Sequence, residues 1–493
     1  MLNGIVDPTG GNGVLGDFYI NTTSNWMYGP KTAGGWGLGV SLVGPEGPSG
    51  GGSGWALTGN AATVPGISFL GTTDNIPFEV RVNNERAGWV SPSSFNTSWG
   101  AGALLSTAGS SNTAIGRDAL NAATGMADYN AALGAFALGI HTDGNYNTAL
   151  GYASLESSTS AWSNTGVGAY SLPYTSTGEQ NTGVGNEAMY LNTTGSNNTV
   201  MGFGALHNGV SGYSNVAIGH SALYRNADRH NIVAIGDSAL FNNSLGAGPI
   251  VPIEGLYPAM FNTAVGSKAL FSNNTGNSNT ALGRHALYST TGGYGNTAVG
   301  VGAMYSNIFG VNNVAIGSNS GGASTVANNF ISIGYVAGYV GGGSNTVEIG
   351  NQSMTWIGGQ TNWFNYSDGR VKDRVQENVA GLDFIQRLRP VTYHFDLHKE
   401  YAMTMGDQKV DEWEGKYDLE KRQMTGFIAQ EVEAAAKASG YDFSGVRAPE
   451  GSAKLYSLSY GEFVVPLVKA VQEQQTMIEK LAKRIEELEQ GRK

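Results

Sequence analysis

The phrase Asn112-Thr-Ala-Ile-Gly-Arg-Asp-Ala-Leu120 recurs as Asn147-Thr-Ala-Leu-Gly-Tyr-Ala-Ser-Leu155 and Asn181-Thr-Gly-Val-Gly-Asn-Glu-Ala-Met189. It returns as Asn215-Val-Ala-Ile-Gly-His-Ser-Ala-Leu223, Asn262-Thr-Ala-Val-Gly-Ser-Lys-Ala-Leu270 and Asn279-Thr-Ala-Leu-Gly-Arg-His-Ala-Leu287. The leading Asn falls at 96, 112, 130, 147, 164, 181, 198, 215 and 231, then at 262, 279, 296, 313, 329 and 345. Nearly every step is 16 to 18 residues. A fixed short period marks a solenoid or roll, in which each repeat buries its apolar side only against its neighbours. Within the phrase, small and large apolar residues alternate, which suits a strand with one face packed inward. The Gly that follows permits a tight bend or a close backbone approach. The Ala-Leu pair four residues later supplies a second apolar contact. Thr-Gly, Asn-Asn and Gly-Ser between phrases are turn chemistry. Seventeen residues accommodate two short strands and two turns, one coil of a β-roll.

The phrase resembles the head repeats of YadA-like trimeric adhesins, and the likeness covers roughly 250 residues. That resemblance implies a left-handed parallel β-roll built as a trimer. The period here is about three residues longer than in that family, so the outer turns must differ. The likeness bears on architecture and says little about ligand.

The 493-residue chain has 74 glycines, no cysteine and a net charge of −11. So much glycine without a strict triplet usually means disorder, but the fixed period and 41% apolar content argue for an ordered fibrous fold. The charge argues against a nucleic-acid binder. No apolar run reaches membrane-spanning length, and Met1-Leu-Asn-Gly lacks the basic and apolar regions of a secretory signal. Residues 367–493 hold 41 of the 65 charged side chains but only 10 of the glycines, which places a domain boundary near 360.

Residues 1–54 form a Gly-rich segment for attachment, with two collagen-type triplets in Gly44-Pro-Glu-Gly47-Pro-Ser-Gly50 that suit a threefold axis or a flexible linker. Asp17-Phe-Tyr-Ile-Asn and Trp26-Met-Tyr-Gly-Pro predict a β-hairpin, followed by Trp36, with aromatics in core or trimer contacts. Residues 55–95 are expected as a small separate β unit resembling the segment that precedes the repeats in tail-fibre-like proteins, with a half-buried strand at Phe78-Glu-Val-Arg-Val. The repeat roll spans 96–359. Its one interruption, at 246–260, is apolar and Pro-rich, a loop that covers a groove, contacts the next subunit or binds a ligand. Histidines 141, 207, 220, 230 and 285 show no ligand spacing and are expected in turns or on the surface. No carboxylate pair stands out as a glycosidase site.

Beyond Tyr366 come Ser367-Asp-Gly-Arg370-Val-Lys372, Leu388-Arg-Pro-Val-Thr-Tyr393, Gly426-Phe-Ile-Ala-Gln-Glu-Val432 and Ser457-Leu-Ser-Tyr460. In this order they resemble the intramolecular chaperone domain of peptidase family S74, found at the C-terminus of phage tailspikes, tail fibres and endosialidases. The resemblance implies autoproteolysis by a Ser–Lys dyad. Ser367 is then the nucleophile and Lys372 the general base, and Tyr366–Ser367 is the scissile bond. A serine hydroxyl needs a base to take its proton. A lysine serves once burial or nearby cations lower its pKa, a role open to Arg370 and Arg374. Asp368 and Arg370 are supporting residues that pair with each other or with a neighbouring subunit. His394 and His398 stand four apart, but strand and surface positions are expected for them, with no metal.

Ala429 to Ser439 is expected as a helix stopped by Gly440. The last helix carries a heptad with Val464, Val471, Ile478 and Ile485 at a and Leu467, Gln474, Leu481 and Leu488 at d. β-Branched a with Leu d favours two strands, whereas both resemblances imply three. Gln474 is a candidate for setting register.

The expected molecule is mainly β: a trimeric parallel β-solenoid shaft, an α+β chaperone domain over 360–463, and a coiled coil over 464–493. The resemblances imply a homotrimeric tail fibre of a phage or phage-tail-like particle, in the virion tail or outside the cell. It would bind a tail or baseplate protein through its N-terminus and a host-surface glycan or protein elsewhere. No cofactor, nucleic acid or membrane insertion is expected. Two alternatives stand beside this: a bacterial trimeric surface adhesin and a glycan-degrading tailspike.

Overall fold

The computed structural model describes the chain except for residues 44–62, 66, 107–108, 124, 245–257, 323–324, 339–342, 361–362, 406–411, 450–454 and 493. Two compact units are present, Met1–Asp74 and Asn75–Lys493.

In the first unit, strands Leu2–Gly4, Tyr19–Asn21, Trp26–Tyr28 and Val40–Ser41 form one sheet in that order. The expected hairpin pairs Tyr19 with Tyr28 and Asn21 with Trp26. Buried Asn21 holds the turn, accepting from the Thr23 and Ser24 amides and donating to Asp7. Trp36 packs edge-on against Tyr19 and donates to the Thr9 carbonyl. These rings therefore serve packing within the unit. The collagen-type triplets lie outside the described residues.

The second unit begins with an antiparallel hairpin, Phe78–Val82 with Glu85–Val90. It does not stand apart as a separate unit, because Glu85–Val90 pairs antiparallel with Thr97–Trp99, the first strand of the array. Trp89 packs against the array's core, and the Arg86 guanidinium donates to the Leu104 carbonyl. From Thr97–Trp99 to Val347–Ile349, fifteen three-residue strands then stack in parallel, each in register with the next. The repeats are thus a parallel β-solenoid. Each coil carries one strand, not the two expected; turns fill the rest of the coil.

The strand's middle residue points inward and its neighbours outward. Ala114, Ala132, Ala149, Ala217 and Ala234 are fully buried, while Ile115, Leu133 and Leu150 are exposed. Small residues dominate the inward position, with Val200 the largest that is fully buried there, because Leu120, Leu138, Leu155 and their equivalents fill the core from the opposite wall. Ser154 stands in place of Ala on that wall, and there the strand compensates. Gly166 faces Ser154, and a Cβ there would lie 2.5 Å from its Oγ.

Three residues per coil take the left-handed conformation, as at Gln180, Glu187 and Met189 (φ 54 to 57°). Each costs about 1–2 kcal/mol in an L-residue. The return is directional: the three amides donate to Trp162, Ala169 and Ala205 of adjacent coils at 3.0 to 3.1 Å. The phrase's glycine is stricter. Gly219 has φ +132°, and a Cβ there would lie 2.5 Å from the Gly236 carbonyl oxygen.

The leading Asn forms a buried ladder. Asn164, Asn181 and Asn198 each donate from Nδ2 to a turn carbonyl (Gly178, Gly195 and Gly212), and each Oδ1 receives the next coil's amide. Three positions differ from the sequence register by one residue. Ile232, Phe330 and Thr346 occupy the ladder, not Asn231, Asn329 and Asn345, as the pairings of Val216 with Val233 and of Ile331 with Val347 require. Asn231 and Asn329 instead take the left-handed turn position just before it. The interruption leaves the strand stack intact: Val233–Ile235 pairs directly with Thr263–Val265. Most of 246–260 lies outside the described residues, although Ala259 and Met260 are buried.

Of the five histidines, His141 is fully buried, contrary to a surface or turn placement. It occupies a second polar column, bridging the Ser158 and Gly144 carbonyls, and burial pushes its pKa down. On the outside, Tyr190, His207, Tyr224, Phe241, Phe271, Tyr288 and Tyr305 stack face to face, with centroids 4.9 to 5.4 Å apart.

After the solenoid, the described residues form four α-helices: α1 (Leu382–Arg387), α2 (Leu397–Met405), α3 (Ala429–Ala438) and α4 (Val464–Gln490). Phe384, Val432, Ala435, Ala436, Phe443 and Phe463 form the core around α1 and α3, whereas α2 buries Leu397 and Tyr401 in a separate cluster with Val336. Helix α3 buries Val432, Ala435 and Ala436, the i, i+3, i+4 face. It ends where Gly440 turns left-handed (φ +65°) and Tyr441 donates back to Ala436. Helix α4 buries Pro466 and Ala470, and its Glu473 accepts from the Leu382 amide, capping α1. None of the helices in the described residues is long and apolar enough to cross a membrane.

Candidate functional site

Ser367 and Lys372 are brought together by one turn of 3₁₀ helix, Gly369–Val371. Asp368 caps that turn, accepting from the Arg370 amide at 2.8 Å. Its carboxylate also grips the Arg370 guanidinium, at 2.6 Å from Nη2 and 3.1 Å from Nε. The Arg370 side chain beside it holds Asp368 below the usual carboxylate range. The Lys372 amide closes the turn on the Gly369 carbonyl. The turn reverses the chain, and Lys372 Nζ donates to Ser367 Oγ at 2.7 Å.

The two arginines expected beside the lysine are each taken up elsewhere. Arg370 pairs with Asp368 and Arg374 with Asp373, so neither presents an uncompensated charge. The dyad is open to solvent on this chain, and Tyr366 is fully exposed.

The remaining motifs build the fold around α1 and α3. Val391–Tyr393 pairs antiparallel with Met424–Gly426. Arg389 and Glu431 form an ion pair, and the Tyr460 hydroxyl accepts from the Phe427 amide. His394 lies just past the strand and contacts the Glu420 carbonyl. His398 is on α2, stacked on Tyr417, with Nδ1 at 2.9 Å from Glu420 Oε1. Asp396, His398 and Glu420 bring one potential ligand atom each within 4.8 Å of one another. The same carboxylates cap α2: Glu420 accepts the Leu397 and His398 amides, and Asp396 accepts that of Lys399. His398 holds Glu420 below its ordinary pKa. The sequence did not single out Asp396 or Glu420, because Glu420 reaches α2 from a 3₁₀ turn more than twenty residues away.

The eight seam positions of the last helix, Val464, Leu467, Val471, Gln474, Ile478, Leu481, Ile485 and Leu488, are all exposed. Ala470 and Pro466 turn toward the domain instead.

The architecture is therefore a β-solenoid followed by a small helical domain whose first residues place a serine and a lysine in hydrogen-bond contact. Residues 367–441 match the family described as chaperone of endosialidase, peptidase S74. The match starts at Ser367 itself. A solenoid shaft joined to such a segment fits a tailspike- or fibre-type protein with a C-terminal chaperone domain. Comparisons with curated proteins and with solved structures return no match.

Proposed function

We propose that this chain is the fibre of a phage or phage-tail-like particle, assembled as a homotrimer and folded by its C-terminal domain, which then cuts the chain before Ser367. The observation that carries the reading is the 2.7 Å contact between Lys372 Nζ and Ser367 Oγ, at the first residue of the chaperone-type segment and directly after a solenoid. With Lys372 unprotonated, its amine takes the Ser367 proton. Oγ adds to the Tyr366 carbonyl carbon, the C–N bond to Ser367 breaks, and the proton passes to the departing nitrogen. Water then hydrolyses the resulting ester, leaving a Tyr366 carboxylate and a free Ser367 amine. Nucleophile and carbonyl are on one chain, so no separate substrate has to be captured.

Two exposed apolar surfaces support the trimer. One is the α4 seam. The other is the outward strand face, where Ile115, Leu133, Leu150, Met201, Leu282, Ile316, Ile333 and Ile349 line the solenoid lengthwise. Patches this extended mark association surfaces. Three near-identical ladders slip by one coil at little local cost. A C-terminal coil that associates first aligns the chains, and cleavage removes the clamp, leaving a kinetically trapped fibre. In this reading the N-terminal unit joins a tail or baseplate protein, and the shaft meets a host-surface glycan or protein.

The test is the intact mass of the purified protein beside Ser367→Ala and Lys372→Ala. A native product ending at Tyr366, with both variants full length, supports the dyad. A native chain that stays at 51.4 kDa overturns cleavage and leaves a permanent clamp.

A further inference from the structure

Trp363, Phe364 and Tyr366 are 89, 91 and 104% exposed. Three large aromatics within four residues, all outside any packing, leave on the order of 500 Å² of apolar surface uncovered, the scale of an interaction patch. They immediately precede the Ser367–Lys372 pair.

The helical domain carries a matching recess. A groove of about 780 Å³ opens between strand Val391–Tyr393, α2, the start of α3 and strand Ser457–Leu458. Tyr393, Phe395, Met403, Phe427, Ile428 and Tyr460 give it apolar walls, and Arg389, Asp396 and Lys399 line it too. Phe395, Met403, Ile428 and Tyr460 are exposed. The volume lies in the range of ligand pockets, roughly 300–1,000 Å³, enough for about two aromatic side chains.

We propose that the groove of one chain receives the Trp363–Tyr366 segment of a neighbouring copy. This rests on the trimer reading above. Plug and socket occur once per chain, and both stand open in the single chain. A head-to-tail contact of this kind closes into a ring when the rotation between copies closes. Tyr460 forms one wall and lies four residues before Val464, where α4 begins, so aligning the α4 seams also sets the grooves around the bundle. Docking fixes the Tyr366 carbonyl beside Ser367 Oγ and withdraws the lysine from water. Cleavage is thereby withheld until a second chain is in place.

The test uses the full-length Ser367→Ala chain with the photo-crosslinker p-benzoylphenylalanine in place of Phe364, irradiated after its oligomeric state is measured by light scattering. The expected result is species at two and three chain masses, with crosslinked peptides from 391–403, 427–430 or 455–460. Met403→Glu, an exposed position where folding is not at stake, is expected to cut that yield by about fivefold or more, because it places a charge against the aromatic segment. A trimer whose crosslinks map to the shaft, or fail to form, overturns the docking alone. A groove crosslink confined to single-chain mass overturns exchange between copies. A monomer overturns both this and the trimer.

Discussion

Asn198 donates twice to Oδ1 of Asn181, once from its backbone amide and once from Nδ2, each at 3.0 Å. Both residues are buried. Neither side chain belongs to its own coil alone, since each closes a turn below and receives the coil above. The ladder is how a thin core of Ala and Leu holds a polar backbone without water.

Asn181→Ala removes an acceptor from Asn198 and a donor from the Gly195 carbonyl. Unpaired buried groups cost about 1–3 kcal/mol each, so a loss of about 2–4 kcal/mol is expected, read as a lower denaturant midpoint. Ile232→Asn should be close to neutral. It gives up apolar burial, but the Ala259 carbonyl is placed to accept its amide as the Arg229 carbonyl accepts those of Asn215 and Asn226.

Gly219→Ala strains the backbone and drives a Cβ into the Gly236 carbonyl. Neither atom is the end of a flexible side chain, so the coil must separate. A cost above about 3 kcal/mol is expected, seen as loss of soluble fibre. Gly10→Ala, where nothing lies within 4 Å of the added Cβ, serves as the control and should leave yield unchanged.

Burial lowers the His141 pKa from its ordinary 6.5, although the Gly144 and Ser158 carbonyls and Asp143 pull the other way. The unfolded chain then binds the proton more readily than the folded one. Stability falls as pH drops below about 6.5 and levels off below the folded pKa. His141→Asn, the residue type at the equivalent Asn192, Asn226 and Asn243, should remove that part of the pH dependence in thermal melts between pH 5 and 7.

Ile478→Glu with Leu481→Glu places like charges on the exposed α4 seam without touching Pro466 or Ala470. Sedimentation should show loss of the proposed trimer in uncleaved chains, while the helical content of α4's domain persists. An unchanged trimer would remove the seam from the assembly.

The repeat, its glycine and its Ala-Leu contact were legible because each is a fixed spacing of residue types. The single strand per coil was not, because turns and strands both satisfy a seventeen-residue period. The one-residue offset at Ile232 escaped because Asn231 is equally at home in a left-handed turn. The aromatic ladder from Tyr190 to Tyr305 leaves a trace, always the residue after the core Leu or Met, but Tyr, His and Phe alternate there, so no single residue type marks it. Motif order pointed to Ser367 and Lys372; the capping of their turn by Asp368 depends on a backbone bend that residue order does not fix. The groove was invisible because its walls come from segments up to about seventy residues apart.

Val233–Ile235 and Thr263–Val265 pair as closely as any two neighbours although thirteen extra residues separate them. The stack therefore counts coils and ignores how much chain is spliced between them. Foreign peptides exchanged for 245–257 would enter the stack at a chosen coil, and moving the splice by one coil would move them by about 4.8 Å. A scaffold with that property is a ruler to which cargo can be pinned.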